Sequence, residues 1–194
     1  VTALAGDWQI VYLVLTIVFI AIGIAFAAYR QPAGGAPATA TATSWGEMLR
    51  LLCKPFPALL AASMALYVGA EIGLSNWMYS YVVTFIGGSV VLGAALNSLF
   101  WFGLGTGRLV AAFLSERLGY DRTLFLGALC STAALVPGLL WKSPLVVTIA
   151  FFLPGFMFAG SFPPIMALGS RAYPGRNGPV AGLFIFFAGV GTII

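Results

Sequence analysis

The sequence predicts an all-α integral membrane protein made of several membrane-crossing helices, and three observations carry that reading. Of the 194 residues, 61% are hydrophobic and only 7% are charged, and the mean hydropathy is +1.03. A soluble domain carries about 25% charged residues, and a domain of this size still exposes much of its surface. So poorly charged a chain has hydrocarbon, not water, as its natural solvent. Second, apolar runs recur at close to the roughly 20 residues that span a hydrocarbon core about 30 Å thick. Third, basic residues collect in every second connection between those runs, as they do where one side of a membrane protein faces the cytoplasm.

Taken in order, the first span is expected over 8–29, with no charge inside it and Trp8 and Tyr29 as interfacial aromatic belts at its two edges. Residues 31–44, QPAGGAPATATATS, are small and polar with no apolar period, which predicts a linker. Ser44 with Glu47 three residues on fits a capping box. The residues after it place Trp45, Met48, Leu49 and Leu52 on one helical face and Glu47, Arg50 and Lys54 elsewhere, a short amphipathic helix suited to a membrane surface or a structured turn. Four further spans are expected over 56–85, 89–114, 122–141 and 145–170. A sixth begins near Pro179, a residue that suits a first helical turn, and is truncated where the sequence ends. Pro154, Gly155, Gly160, Pro163 and Pro164 make the fifth span bendable. The chain starts without Met and ends inside an apolar run, so a fragment is expected.

Orientation follows from the nine basic residues. Arg30, Arg50 and Lys54 lie between the first two spans, Arg108, Arg117 and Arg122 flank the turn between the third and fourth, and Arg171 and Arg176 lie between the fifth and sixth. The other side keeps Lys142 alone. The basic side, including the 30–54 connection, is therefore expected in the cytoplasm and the protein in a plasma or bacterial inner membrane.

Several chemistries are excluded. There is no histidine, hence no histidine-based nucleophile pair and no histidine-ligated metal site. Two cysteines, Cys53 and Cys130, make neither a disulfide framework nor a four-cysteine zinc site and are expected to be free thiols. No cofactor, no metal and no enzyme activity are expected. The net charge of +4 marks topology, not a nucleic-acid surface.

Three stretches resemble known transporters. The turn Ala112-Phe113-Leu114-Ser115-Glu116-Arg117-Leu118-Gly119-Tyr120-Asp121-Arg122 is similar to the repeated cytoplasmic signature of the major facilitator superfamily. It departs from that pattern in having Ala112 where Gly is usual, Glu116 where Asp is common, and Tyr120-Asp121 inside the basic pair. Tyr67-Val68-Gly69-Ala70-Glu71 with the following Trp77, and Phe100-Trp101-Phe102-Gly103-Leu104-Gly105-Thr106-Gly107-Arg108, resemble the seventh and eighth helices of the fucose permease-like branch (fucose–galactose–glucose symporters). Phe162-Pro163-Pro164-Ile165 is a weaker match. The resemblance implies a major facilitator superfamily-like helical bundle in which the six segments are helices six to eleven of twelve. Residues 1–29 would then be the last helix of an N-terminal bundle, 30–54 the cytoplasmic linker with its short amphipathic helix, and 55–194 an incomplete C-terminal bundle. The missing N-terminal bundle would be a partner of this piece.

Within the spans, Glu71 is the acid placed deepest. Burying a carboxylate in hydrocarbon costs several kcal/mol, so such groups face interior cavities and serve a function, although a structural hydrogen bond to a neighbouring helix is the alternative. A desolvated carboxyl can bind and release a proton near neutrality. Tyr67, Glu71 and Ser75 share a face at i, i+4 spacing. A helix break at Gly73 would turn Asn76 and Trp77 toward the same cavity; without it, Trp77 and Tyr79 read as interfacial packing. Asn97 and Trp101 are candidate cavity liners on the next span, whose Gly103 and Gly107 allow close approach of another helix. Arg108 is assigned to the cytoplasmic gating turn together with Glu116, Arg117, Gly119 and Arg122, where a charge cluster could hold one conformation and yield in another, with plain positive-inside anchoring as the alternative. Aromatic faces beside amide and carboxylate groups suit a sugar. The expected function is secondary active transport of a sugar or similar small polar solute with a proton or sodium ion; the alternatives are a drug or organic anion as the solute, or a non-transporting receptor.

Overall fold

A computed structural model describes residues 8–29 and 44–193. The predicted linker 31–43 and Arg30 lie outside the described residues. The chain divides into two units, 1–40 and 41–194.

In the first unit, α1 (Trp8–Ala28) is a helix of 21 residues. Its described side chains are exposed all round, and its residues Ile10–Ala28 are long and apolar enough to cross a membrane. The belt expected at Trp8 concerns a side chain outside the described ones; Tyr29 follows the helix and is exposed.

The second unit is a helical bundle. α2 (Trp45–Leu52) starts where the capping box predicts: the Ser44 Oγ accepts the Glu47 backbone N–H at 3.2 Å. Its buried face differs from the expected one. Met48 and Leu51, three residues apart, are buried against α3 and α8, while Leu49 is exposed and Trp45 meets the Phe186 ring edge-on. The helix therefore docks on the bundle and not on a bilayer alone.

α3 (Pro55–Ser80) runs without interruption into a π-helical turn, Tyr81–Phe85. α4 (Val90–Leu118) begins at Ser89, whose Oγ accepts the Leu92 N–H at 3.1 Å. It reaches four residues past the expected end. At Gly119 the chain turns with φ 88°, a conformation that a side chain would strain, and α5 (Tyr120–Leu140) follows. The expected single span over 145–170 is two helices, α6 (Pro144–Phe158) and α7 (Phe162–Ala172). Between them the ladder lapses into i→i+3 bonds at Gly160 and Ser161, and Pro163 and Pro164 contribute no N–H to restore it. α8 (Asn177–Gly191) has 15 described helical residues. Among the described residues, five helical stretches are long and apolar enough to cross a membrane, with α8 a shorter apolar helix.

α6 lies against α4 and α5, and α8 against α3. The α4–α6 contact depends on missing side chains. A Cβ at Gly107 would collide with the Phe156 carbonyl oxygen, one at Gly155 with that of Phe100, and one at Gly103 would come within 3.0 Å of the Phe152 oxygen. Such close backbone approach is how membrane helices gain packing energy without a hydrophobic driving force.

The buried side chains form two apolar clusters. One joins α2, α3, α7 and α8 through Leu51, Met64, Ile165, Val180 and Phe184. The other joins α3, α4 and α6 through Met78, Leu96, Phe100, Val147 and Phe151. The stretch of α3 from Glu71 to Ser75 lies between them along the helix.

Two ring contacts bring three connections to one end of the bundle. The Lys54 ammonium, before α3, lies 5.0 Å from the centre of the Tyr173 ring. The Arg171 guanidinium, at the end of α7, lies 4.5 Å from that of Tyr120 in the α4–α5 turn. The α2–α3, α4–α5 and α7–α8 connections thus share an end, as the alternation of basic residues predicts.

Candidate functional site

The facing sides of α3 and α4 carry the polar groups. Ser75, 9% exposed, donates from Oγ to Asn97 Oδ1 at 2.8 Å and accepts the Trp101 Nε1–H at 2.9 Å. One hydroxyl therefore closes a knot of three side chains between the two helices, with Asn97 partly buried and the Trp101 ring 40% exposed. The contact also fixes the register. The helices run in opposite directions, so if residue 75 lies level with 97–101, one turn down α3 lies level with about 101–105 and two turns with about 104–108.

At that lower level lie Tyr67, Glu71 and Arg108. Tyr67 and Glu71 are each 7% exposed. The Tyr67 hydroxyl is fully buried and makes no well-formed hydrogen bond, yet both the Glu71 carboxylate and the Arg108 guanidinium act on it electrostatically. Its ring stands edge-on to Phe158 at 6.0 Å, beside the break between α6 and α7. A buried hydroxyl without a partner is rare in folded proteins. With an acid and a base beside it, this one is poised to bond to either.

The expectations fare differently. Tyr67, Glu71 and Ser75 lie buried on one face of α3, and Asn97 and Trp101 are joined to Ser75. The break at Gly73 is absent: α3 is helical through it. A glycine alone does not open a helix in hydrocarbon, where every unbonded backbone group is costly. Asn76 and Trp77 therefore stay off the Glu71 face; both are exposed, Trp77 by 74%. The placement of Arg108 in the turn is also corrected. α4 continues to Leu118, so Arg108 lies ten residues, about 15 Å, before the helix end, at the level of Tyr67. Glu116, Arg117 and Arg122 are exposed at the turn, and none of them makes an ion pair among the described residues. What spans that turn is Tyr120 beneath Arg171, a contact for which the sequence offered one signal, an aromatic residue inside a basic turn. Cys53 and Cys130 are free and exposed, and among the described residues no group of three or more metal-ligating side chains occurs.

A cavity of about 620 Å³ lies elsewhere, between α3 and α5, and includes Leu66, Leu74, Leu124, Leu135 and Phe158 in its lining. It reaches Tyr67 but not Glu71, Ser75, Asn97 or Trp101. Its lining is largely apolar, carries the hydroxyl-bearing side chains Ser63, Tyr67, Thr132 and Ser161, and includes no carboxylate.

Known proteins share this sequence pattern. Over 129 residues the chain is 29% identical to the "Glucose/mannose transporter GlcP" of Bacillus subtilis (strain 168), covering 66% of this chain and 32% of that protein. Over 146 residues it is 32% identical to the "Sodium-dependent glucose transporter 1A" of Mus musculus, covering 74% and 32% respectively. A shorter match of 67 residues at 36% identity is to "Bypass of stop codon protein 6" of Saccharomyces cerevisiae, covering 34% of this chain and 14% of that protein. The aligned part is thus about a third of the length of the first two relatives. All of residues 1–194 match the Major Facilitator Superfamily. With its apolar helical bundle and the polar α3–α4 seam, the chain belongs to the Major Facilitator Superfamily.

Proposed function

We propose that this chain is part of a secondary active transporter that moves a hexose-type sugar by alternating access, coupled to a proton or a sodium ion. The observation that carries the proposal is the α3–α4 seam: one buried carboxylate, Glu71, beside the knot of Ser75, Asn97 and Trp101. An indole face and an amide are groups that bind a sugar ring and its hydroxyls, and an intramembrane carboxylate is costly unless it serves transport. The glucose named for the Bacillus and mouse relatives supports the substrate class, and the sodium named for the mouse one keeps both ions in view.

In this reading residues 1–29 end an N-terminal bundle, 30–54 are a cytoplasmic linker, and 55–194 belong to a C-terminal bundle, with the remaining part of the site supplied by the other bundle. The end that gathers Lys54, Tyr120 and Arg171 faces the cytoplasm, in a plasma or bacterial inner membrane. No step of catalysis is assigned to any residue; the transporter family and the names of the relatives point to a non-enzyme.

The test is uptake by the intact protein in proteoliposomes, with D-glucose and D-mannose as solutes and an organic anion as control. Saturable hexose uptake and hexose counterflow are expected. Saturable binding without counterflow would mark a receptor, and uptake of the anion alone would assign a different solute.

A further inference from the structure

We propose that the lapse between α6 and α7 is a sodium site, in which the backbone carbonyls of Ala159 and Gly160 and the hydroxyls of Ser161 and Tyr67 hold one ion against α3. The proposal goes beyond the transport reading above, which gives sodium no place in the molecule, and it does not make Glu71 a ligand.

The prolines leave two acceptors without donors. In a helix the carbonyl of residue i takes the N–H of residue i+4. For Ala159 and Gly160 those residues are Pro163 and Pro164, which have no N–H. For Gly160 the i+3 residue is Pro163 as well, so neither kind of helical bond reaches its oxygen. The bonds that form here run from Gly160 to Met157, from Ser161 to Phe158 and from Ile165 to Ser161, and pass both carbonyls by. Ala159 is 0% exposed and Gly160 is buried. Unbonded backbone at such depth is costly unless it lines a cavity or holds a ligand. Beside Gly160 stand methyl groups of Ala111 and Thr123, which donate nothing.

Two hydroxyls lie beside the lapse. Ser161 is 3% exposed, and its side chain makes no cap to α7. The Tyr67 hydroxyl is fully buried without a well-formed hydrogen bond, and its ring stands edge-on to Phe158, at the end of α6. Ser161, Tyr67 and Phe158 line the same cavity between α3 and α5. That lining offers no side-chain nitrogen as donor: its polar side chains are the hydroxyls of Ser63, Tyr67, Thr132 and Ser161. Thr132 already donates to the Ala128 carbonyl at 2.9 Å.

The chemistry of these oxygens selects the ligand. A buried water makes about three hydrogen bonds, and only two of them as donor, so one water leaves part of the set unmet. A hard cation is met by oxygens alone, and unwound backbone carbonyls are how membrane transporters supply them. All four oxygens are formally neutral, which suits one positive charge better than two. A small ligand number favours a small ion, hence sodium over potassium. Glu71 and Arg108 act on the Tyr67 hydroxyl with opposite sign, so their charges offset each other and the neutral oxygens decide. The bound ion ties α3 to the lapse and stabilises the fold that holds it.

The intact protein purified in detergent decides the matter, by melting temperature and by binding of radiolabelled sodium, in sodium, potassium or choline chloride at equal ionic strength. The wild-type melting temperature is expected to climb with the logarithm of sodium concentration, less with potassium, and not with choline. Tyr67→Phe and Ser161→Ala each remove one ligand oxygen and should weaken sodium binding by about tenfold or more, while Tyr67→Phe melts with wild type in choline. Thr132→Val, in the same cavity but with its hydroxyl engaged elsewhere, keeps the sodium response. A wild type that neither binds labelled sodium nor gains stability from it overturns the proposal, the lapse then holding water only. So does a response to potassium as large as to sodium, or a sodium response that survives in both hydroxyl variants. If Ser161→Ala does not fold, Tyr67→Phe alone carries that comparison. Failure of the transport reading shows separately, as absent hexose counterflow, and leaves the sodium binding result standing.

Discussion

The α3–α4 seam has two polar levels, centred on Ser75 and on Tyr67 about two helical turns below it, and they are finished differently. At the upper level the Ser75 hydroxyl is engaged both ways, donating to Asn97 and accepting from Trp101. At the lower level the Tyr67 hydroxyl is just as deeply buried and makes no well-formed bond, although Glu71 and Arg108 are beside it. A closed knot holds its members in one arrangement. An open set has bonds left to make, so its arrangement can depend on charge. In the proposed reading, the difference separates a preset surface for a solute from a group that changes state during the cycle.

The largest effect should come from the open level. Glu71→Gln keeps size and hydrogen-bonding capacity but cannot ionise, and the gradient-driven part of glucose accumulation should vanish while counterflow persists; proteoliposome uptake in both modes checks this. Next comes the centre of the closed level. Interhelical hydrogen bonds in membranes contribute about 0.6 to 1.7 kcal/mol each, so Ser75→Ala, which removes two, should destabilise the bundle by about 1–3 kcal/mol. A lowered melting temperature in detergent would show it. Trp101→Phe removes one of those bonds and keeps an aromatic face, so about half that loss is expected, together with a raised glucose KM. Tyr67→Phe should have the smallest effect on stability, within about 0.5 kcal/mol of zero, because no formed bond is lost. A large drop in melting temperature for Tyr67→Phe would erase the distinction between the levels. Outside the seam, Tyr120→Leu should cost about 0.5–1 kcal/mol at the basic end of the bundle, the range of an exposed cation–π contact, read in the same melting assay.

Much of this architecture was legible from hydropathy and charge. Runs of apolar residues place the helices because hydrocarbon tolerates little else, and the alternation of Arg and Lys correctly brings the α2–α3, α4–α5 and α7–α8 connections to one end. Glu71, Tyr67 and Ser75 were legible by spacing alone. Depth was harder. Hydropathy reports where a helix enters hydrocarbon but not how far it continues, and four extra residues on α4 moved Arg108 from the turn to the level of Tyr67. Backbone continuity was harder still. Gly73 read as a break and is helical, whereas the proline pair at 163–164 does end a ladder, because missing N–H groups cannot be replaced while a missing side chain can be tolerated. The cation–π contacts and the Ser75 knot depend on which faces meet, and one sequence does not state that.

The lapse between α6 and α7 has a mechanical side. A rod with two stiff arms concentrates bending where its stiffness falls, and between Pro144 and Ala172 that place is residues 159–161. Phe158, the last helical residue before it, rests edge-on against the ring of Tyr67. Bending at that place would therefore move a ring packed against Tyr67, whose buried hydroxyl makes no well-formed hydrogen bond among the described residues.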